Sequence, residues 1–165
     1  MQKHDGDEEA LRAVGLRPAT SDDEPFLLQL FAGTRSDELA HMSENQREAF
    51  VAMQFKAQSR QYVVRYPHAH HSIILWNDTP IGRLLLDRGE RELTLVDITL
   101  LPTHRGAGIG THLLKDLLRE AAAVRKPVRL KVWYSSPAKE LYQRLGFSAV
   151  NDDGVYCEMW WKPGL

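Results

Sequence analysis

The sequence has 165 residues, about the length of one globular domain, and its hydrophobic (43%) and charged (26%) fractions are ordinary for such a domain. Its 21 basic and 22 acidic residues nearly cancel, so the chain lacks the bulk positive field that holds nucleic acid or an anionic membrane. No apolar run reaches the ~20 residues that span a bilayer, and the polar start lacks a signal-peptide core. We therefore expect a cytoplasmic protein with neither nucleic acid nor membrane as a partner.

The first part of the chain is predicted to contain a tail, one strand and two helical stretches. Residues 1–12 are acidic and nearly free of large apolar groups, which predicts a disordered tail before a single domain at 13–165. Residues 14–18 are predicted to form a short edge strand, because a proline ends them. Residues 25–31 carry apolar side chains at helical spacing behind a run of acids, and residues 35–61 continue the helical pattern.

Three acids of the second helical stretch bear on the substrate. Asp37, Glu38 and Glu44 would suit a cationic amine if they reached the edge of a substrate site. The alternative is that they form an ordinary solvent-facing helix surface, and the sequence favours this alternative.

No metal site is predicted from the histidines or the cysteine. His68, His70 and His71 are close in sequence, but they alternate between the faces of a strand and no Cys or carboxylate spacing completes a ligand set. We predict a turn before a strand there. The single Cys157 lies in an apolar strand and is predicted to be a buried structural thiol.

An antiparallel meander of three strands is predicted in the middle of the chain. Residues 72–76 and 81–87 are apolar runs joined by the turn Asn77-Asp78-Thr79-Pro80, which is typical of a hairpin. Residues 92–101 form the third strand of the meander.

A β-α-β unit is predicted to follow the meander. Residues 108–124 repeat apolar side chains on one helical stripe, and residues 127–132 then form a strand parallel to the one before the helix. A further helix is predicted from Pro137 to a left-handed end at Gly146, and residues 155–161 form the closing strand. The order predicts an α/β (α+β) domain whose mixed sheet turns from antiparallel to parallel, flanked by about four helices.

A glycine-rich turn connects the meander to its helix. Arg105-Gly106-Ala107-Gly108-Ile109-Gly110-Thr111 leaves backbone N–H groups uncovered at a helix start, where the helix dipole attracts anions. This predicts a phosphate site with Arg105 as an added charge. A P-loop would need a lysine after the last glycine, and a dinucleotide fingerprint would need a glycine at position 111 and an acid on the next strand. Neither pattern is present.

Two motifs resemble the GNAT family of N-acetyltransferases. Arg105-x-x-Gly108-x-Gly110 after a strand ending in Leu100-Leu101-Pro102 is similar to that family's acyl-CoA loop, and residues 136–147 resemble its tyrosine-bearing helix that closes in Leu-Gly-Phe. The resemblance implies a GNAT fold over residues 13–165. It also implies transfer of an acetyl group from acetyl-CoA directly to a primary amine of a small molecule or peptide, with no metal.

The resemblance also implies roles for single residues. Tyr142 would protonate the leaving thiolate, with plain packing as the alternative, and the backbone N–H of Leu100 would stabilise the oxyanion. Asp97 would be a base acting through a water, or else a buried acid paired with an arginine. The residues implied in cofactor binding are Ile98, Thr99, Leu100, Arg105, Gly106, Ala107, Gly108, Ile109, Gly110, Thr111 and Ser136. Helix capping would by itself explain Ser136.

Other functions stay open at this point. A non-catalytic acyl-CoA-binding domain of the same fold would carry the same loop, and a nucleotide-binding β-α-β protein is a weaker alternative. The aromatic strand end at Trp160-Trp161 could pair two chains, so both a monomer and a homodimer are compatible with the sequence.

Overall fold

The computed structural model describes residues 11–164, which form seven strands and five α-helices. The strands are β1 (Val14–Pro18), β2 (His70–Trp76), β3 (Thr79–Arg88), β4 (Leu93–Leu100), β5 (Val128–Trp133), β6 (Ser148–Asp152) and β7 (Tyr156–Trp161). The helices are α1 (Glu24–Gly33), α2 (Ser36–Leu39), α3 (Glu44–Arg65), α4 (Ile109–Ala123) and α5 (Ala138–Arg144). Most of the predicted tail lies outside the described residues, but Leu11 packs against the sheet, so the domain includes it.

The strands form one sheet in the order β1-β2-β3-β4-β5-β7-β6. Every neighbouring pair is antiparallel except β4 and β5, which are parallel and are connected through α4. The predicted mixed sheet is therefore confirmed. The strand end at Trp160-Trp161 does not offer a free sheet edge to a second chain, because β7 pairs with β5 on one side and with β6 on the other.

The two parallel strands separate soon after they meet. Pairing joins residues 93–95 of β4 to residues 128–130 of β5, and the β3–β4 register shifts at the same point, between Leu85 and Leu86. A bulge of this kind bends a strand and increases its twist. Beyond it β5 continues to Trp133 paired with β7 alone, so a gap opens between the carboxyl ends of β4 and β5.

Helices cover both faces of the sheet. The apolar stripe of α4 packs on one face, where Leu114 and Leu117 join a core that includes Leu95 and Leu130. On the other face Leu27 and Leu30 of α1 pack against Ile73, with Phe55 of α3 beside them. Because side chains alternate along a strand, neighbouring residues of β4 face different helices.

The predicted helical stretch at 35–61 is two helices. Helix α2 ends at Leu39, and Ser43 then caps the start of α3. The Ser43 side chain accepts a hydrogen bond from the Gln46 N–H at 3.3 Å, and the Gln46 side chain accepts one from the Ser43 N–H. This reciprocal capping starts a new helix and explains why five helices are found instead of about four.

Three smaller features complete the fold. His70 and His71 belong to β2, so the predicted turn does not extend that far. Cys157 is fully buried as a free thiol, as predicted. Within residues 11–164, no helix combines the length and the apolar content needed to cross a membrane.

Candidate functional site

A groove with a volume of about 1290 Å³ lies in the gap between β4 and β5. Strands β4 and β5 form its floor, α3 and the start of β7 form one lip, and α5 forms part of the other. Six of the predicted site residues line it, namely Asp97, Ile98, Thr99, Arg105, Ser136 and Tyr142. The glycine-rich turn continues the chain from Arg105 at the edge of this groove.

The backbone of β4 presents free groups to the gap. The Leu101 N–H donates to the Ile81 oxygen at 2.7 Å, and hydrogen-bonded pairs alternate with non-bonded pairs along an antiparallel ladder. The pairs at Leu100 and Ile98 are therefore non-bonded, and their N–H and C=O groups point away from β3 and toward the gap. Consistently, the Arg105 Nε donates to the Leu100 oxygen at 3.2 Å. The backbone of Thr99 faces β3 instead.

The glycine-rich turn has two glycines that its conformation requires and one that it does not. Gly106 and Gly108 have φ values of +77° and +82°, the left-handed region that glycine adopts at little cost. Gly110 lies in the first turn of α4 without a positive φ, and a Cβ there would meet no heavy atom within 4 Å. Nothing in the described chain requires glycine at that position. An open, unshielded backbone at a helix N-terminus fits a bound pyrophosphate.

Tyr142 lies on α5 with its ring in the core and one side on the groove. The residue is 8% exposed, and its ring meets that of Phe147 edge to face with centroids 5.6 Å apart. Burial, followed by the negative charge of Asp97, raises the pKa of Tyr142 to about 12. The hydroxyl therefore holds its proton more tightly than an exposed tyrosine, whose pKa is ~10.

Asp97 is paired with an arginine, one of the two roles that the sequence allows. Arg83 donates from Nε to the Asp97 Oδ2 at 2.7 Å and places Nη2 2.6 Å from the same oxygen. The Thr99 hydroxyl donates to Asp97 Oδ1 at 2.8 Å, and Gln58 of α3 accepts from Arg83 at 2.8 Å. Both carboxylate oxygens are therefore occupied. Arg83 was not predicted as a site residue, although an arginine inside an apolar strand indicates a buried charge that needs a partner.

Two further residues near this ion pair were not predicted from sequence. Tyr62 of α3 lies with its ring centroid 5.7 Å from the Arg83 guanidinium carbon, and burial raises its pKa to about 12. His71 of β2 is half-buried, and its Nε2 is buried without a hydrogen-bond partner in the described part of the chain. Burial and the charge of Arg83 lower the pKa of His71, so its ring is neutral near pH 7.

Ser136 has the capping contact that the sequence offered as sufficient. Its Oγ accepts a hydrogen bond from the Ala138 N–H at 3.2 Å, immediately before α5. Asp37, Glu38 and Glu44 are exposed helix residues outside the groove lining, in agreement with the solvent-facing alternative. Among residues 11–164, no three His, Cys, Asp or Glu side chains come together in a metal-binding group.

Solved structures share this fold at low sequence identity. A PaiA N-acetyltransferase from Thermoplasma acidophilum, solved in complex with coenzyme A, aligns with a TM-score of 0.68 at 19% identity over 90% of this chain and 98% of its own. An acetyltransferase from Thermus thermophilus aligns with a TM-score of 0.65 at 24% identity over 93% and 97%. The ribosomal-protein-S18-alanine N-acetyltransferase from Escherichia coli aligns with a TM-score of 0.60 at 16% identity over 92% and 95%.

A family model gives the family independently of these structures. The model described as an acetyltransferase (GNAT) domain matches residues 38–161, well over half of the chain. This match contains the gap between β4 and β5, the glycine-rich turn and Tyr142. The chain therefore belongs to the GNAT acetyltransferase family.

Proposed function

We propose that the protein is an N-acetyltransferase that moves an acetyl group from acetyl-CoA to a primary amine by direct attack in a ternary complex. The observation that carries this proposal is the gap between β4 and β5, where backbone groups of Ile98 and Leu100 that do not pair with β3 lead to the glycine-rich turn. A site with an extended backbone partner at one end and an anion cradle at the other suits a long ligand with a pyrophosphate. The acceptor is a small molecule or a peptide.

The chain offers complementary groups for each part of the cofactor. The backbone of Ile98 and Leu100 would pair with the amide groups of the pantetheine arm as an added strand does. The N–H groups of residues 106–111 would hold the pyrophosphate, with Arg105 as an additional cation. Ser136 lines the groove and is a candidate for a polar contact. When bound, acetyl-CoA supplies the acetyl thioester.

Two groups of the chain would serve the reacting centre. The Leu100 N–H points into the gap and would stabilise negative charge on the acetyl oxygen. The Tyr142 hydroxyl would supply the proton that the leaving thiolate needs. The pKa of about 12 for the buried Tyr142, against ~8.5 for a free thiol in water, would make this transfer uphill by roughly 5 kcal/mol. Burial also raises a thiol pKa, so the same dry groove reduces that gap.

Removal of the amine proton is the step with the least support in the chain. Asp97 can take a proton through a water only by weakening the hydrogen bonds from Arg83 or Thr99. An α-amine with a pKa of ~8 is already partly neutral at pH 7.5 and needs little help, whereas a lysine side chain at ~10.4 needs more. The geometry therefore favours Asp97 as a positioning residue and an acceptor of low amine pKa.

The experiment is thermal unfolding with acetyl-CoA, ATP and NAD in separate samples, followed by thiol release with a panel of amines. A ligand at a hundred times its dissociation constant adds ~2.7 kcal/mol, which raises Tm by several degrees. We expect stabilisation by acetyl-CoA alone and amine-dependent thiol release. Stabilisation without thiol release for any amine would identify a non-catalytic acyl-CoA-binding domain. Stabilisation by ATP or NAD but not by acetyl-CoA would contradict the proposal.

A further inference from the structure

The side chains that line the groove carry an excess of positive charge. Asp97 is the one carboxylate among its described lining residues. The same lining contains seven cationic residues, namely Arg35, Arg60, Arg65, Arg83, Arg105, Arg129 and Lys131. The chain as a whole has a formal net charge of −1, so this excess is local to the groove.

Part of the positive charge is already neutralised or assigned. Arg83 is paired with Asp97, and Arg129 lies 3.3 Å from carboxylate oxygens of both Glu92 and Glu158. Arg105 lies at the glycine-rich turn, where the proposed cofactor phosphates would be bound. These three cations need no additional ligand to explain them.

Four cations of the lining remain, Arg35, Arg60, Arg65 and Lys131, and within residues 11–164 none of them has a carboxylate at ion-pair distance. Arg60 and Arg65 are the two that belong to one helix. Both lie on the second half of α3, exposed to solvent, and Arg65 lies 5.7 Å from the centroid of the Tyr66 ring. An arginine that stacks on an aromatic ring keeps its fork of N–H donors available. Arg65, together with the exposed Arg60 five residues earlier on α3, therefore offers cationic N–H donors to an anion.

The position of α3 separates these arginines from the cofactor phosphates. The helix packs on the sheet face that carries Asp97, since its Gln58 bonds Arg83. The glycine-rich turn leads into α4, which packs on the opposite face against Ile98 and Leu100. Arg60 and Arg65 therefore lie on the side of the gap opposite α4. Since the proposed cofactor phosphates would occupy the α4 side, this side remains for the acceptor.

Aromatic rings surround the same end of the groove. Trp133 and Tyr156 stack with ring centroids 4.4 Å apart, and both line the groove, as do Tyr62 and Tyr66. Rings of this kind cover an aliphatic or aromatic linker well, while arginines hold its charged end.

We propose that the acceptor is a primary amine that also carries an anionic group, a carboxylate or a phosphate, and that Arg60 and Arg65 bind this group. The inference rests on the proposed function and specifies its substrate class. It replaces the cationic amine that Asp37, Glu38 and Glu44 would have suited, because those acids lie outside the groove lining.

The test compares acceptors that carry an anionic group with related acceptors that lack it, at saturating acetyl-CoA, by thiol release. The first set compares 5-aminopentanoate with its carboxamide and with 1,5-diaminopentane. The second set compares phosphoethanolamine with ethanolamine. The third set compares a peptide that begins Gly-Glu-Glu with one that begins Gly-Gln-Gln. We expect the anionic member to have at least a tenfold higher kcat/KM in one set, and that set identifies the source of the anion. Equal use of all members, or preference for the diamine, overturns the inference while leaving acetyl transfer intact. Failure of every amine with acetyl-CoA still bound overturns the proposed function and this inference together.

Charge-removing variants locate the contact. In Arg65→Gln and Arg60→Gln we expect KM for the anionic acceptor to rise about fivefold, the scale of an exposed ion pair, with KM for acetyl-CoA and for the neutral acceptor unchanged. Lys115→Gln removes an exposed charge from α4 outside the groove and serves as the control. An equal rise in KM for acetyl-CoA would assign these arginines to the cofactor and overturn the inference.

Discussion

The Tyr142 side chain combines two roles that a single substitution separates. Its ring packs in the core against Phe147, and the residue also lines the groove. Tyr142→Phe keeps the ring and removes the proton donor. We expect kcat to fall about 100-fold, the lower range of general acid catalysis, with KM for acetyl-CoA nearly unchanged. Steady-state kinetics measure both constants, and an unchanged kcat would leave packing as the only role of this residue.

The raised pKa of Tyr142 also makes the free energy of unfolding decrease as the pH becomes alkaline. The folded state holds the phenol proton to a pKa of about 12, whereas the unfolded chain releases it near ~10. The stabilising contribution is therefore complete below pH 10 and is lost as the pH rises toward 12. We expect this group to cost about 1.4 kcal/mol of unfolding free energy by pH 11. Urea unfolding at pH 8 and pH 11 should show a smaller loss in Tyr142→Phe than in the parent; an equal loss would assign the alkaline dependence to other groups.

Asp97 and Arg83 form an ion pair whose main expected effect is structural. Arg83 is 6% exposed, so Asp97→Asn leaves a nearly buried charge without its counterion. We expect a loss of about 3 kcal/mol in unfolding free energy, measured by urea denaturation, and partial recovery in the double variant Arg83→Met/Asp97→Leu. Asp78→Asn, in the exposed β2–β3 turn, is the matched control. Unchanged stability together with a displaced pH–rate profile would instead support Asp97 as the base.

At the scale of elements, the three glycines of the glycine-rich turn are present for different structural reasons. Gly106 and Gly108 are required by backbone geometry, because their φ values are positive. Gly110 is required by nothing in the described chain, and a methyl group at that position would project into open space. The sequence pattern treats the three alike, and the backbone conformation distinguishes them.

Alanine substitutions test this difference directly. Gly110→Ala places a better helix former in the first turn of α4, so stability should be maintained or rise by up to about 1 kcal/mol. The added methyl would obstruct a bound pyrophosphate, and KM for acetyl-CoA should rise about tenfold. Gly108→Ala should instead lower stability by about 1 kcal/mol, because alanine is strained at a φ of +82°. Thermal unfolding measures the stability of both variants, and steady-state kinetics measure their KM for acetyl-CoA. An unchanged KM in Gly110→Ala would argue against phosphate binding at that amide.

At the scale of the whole molecule, the two parts of the sheet are joined by few backbone hydrogen bonds but share one hydrophobic core. Only residues 93–95 of β4 pair with β5, so few backbone hydrogen bonds connect the two parts of the sheet within the described chain. The largest cluster of buried side chains spans that boundary, with Leu86 and Leu93 on one side and Val128 and Met159 on the other. Packing, more than backbone pairing, holds the two parts together around the groove.

This shared core predicts a single cooperative unfolding transition. Trp76 lies in β2, whereas Trp133, Trp160 and Trp161 lie in β5 and β7, so the two parts of the sheet have separate fluorescent reporters. One variant keeps Trp76 as its only tryptophan, and a second variant lacks only Trp76. In each variant we expect the unfolding midpoint from tryptophan fluorescence to equal the midpoint from far-UV circular dichroism. Midpoints that differ between fluorescence and circular dichroism within either variant would show that the gap divides the molecule into independent units.

The sequence by itself determined the parts of this protein that depend on local pattern. Hydrophobic periodicity predicted α4 and most of the strands, because alternation and the helical repeat arise within one element. It assigned no residues to β6, which is exposed at every position and so has no buried face to reveal it. The glycine-rich turn and the Leu-Gly-Phe helix end indicated the family, and the family match confirms it. The break between α2 and α3 was missed because the cap at Ser43 competes with a helical pattern that continues on both sides.

Tertiary structure decided what depends on contacts between distant residues. The partner of Asp97 comes from another strand fourteen residues away, and no spacing rule selects Arg83 over the other arginines. The position of β7 inside the sheet, which removes a free edge at Trp160, follows from the order in which strands pair. The positive charge in the groove comes from α3, β3 and β5 together with the connecting segments that hold Arg35 and Arg105. A net charge near zero conceals such a site, because charge is summed along the chain but is felt only where the fold brings side chains together.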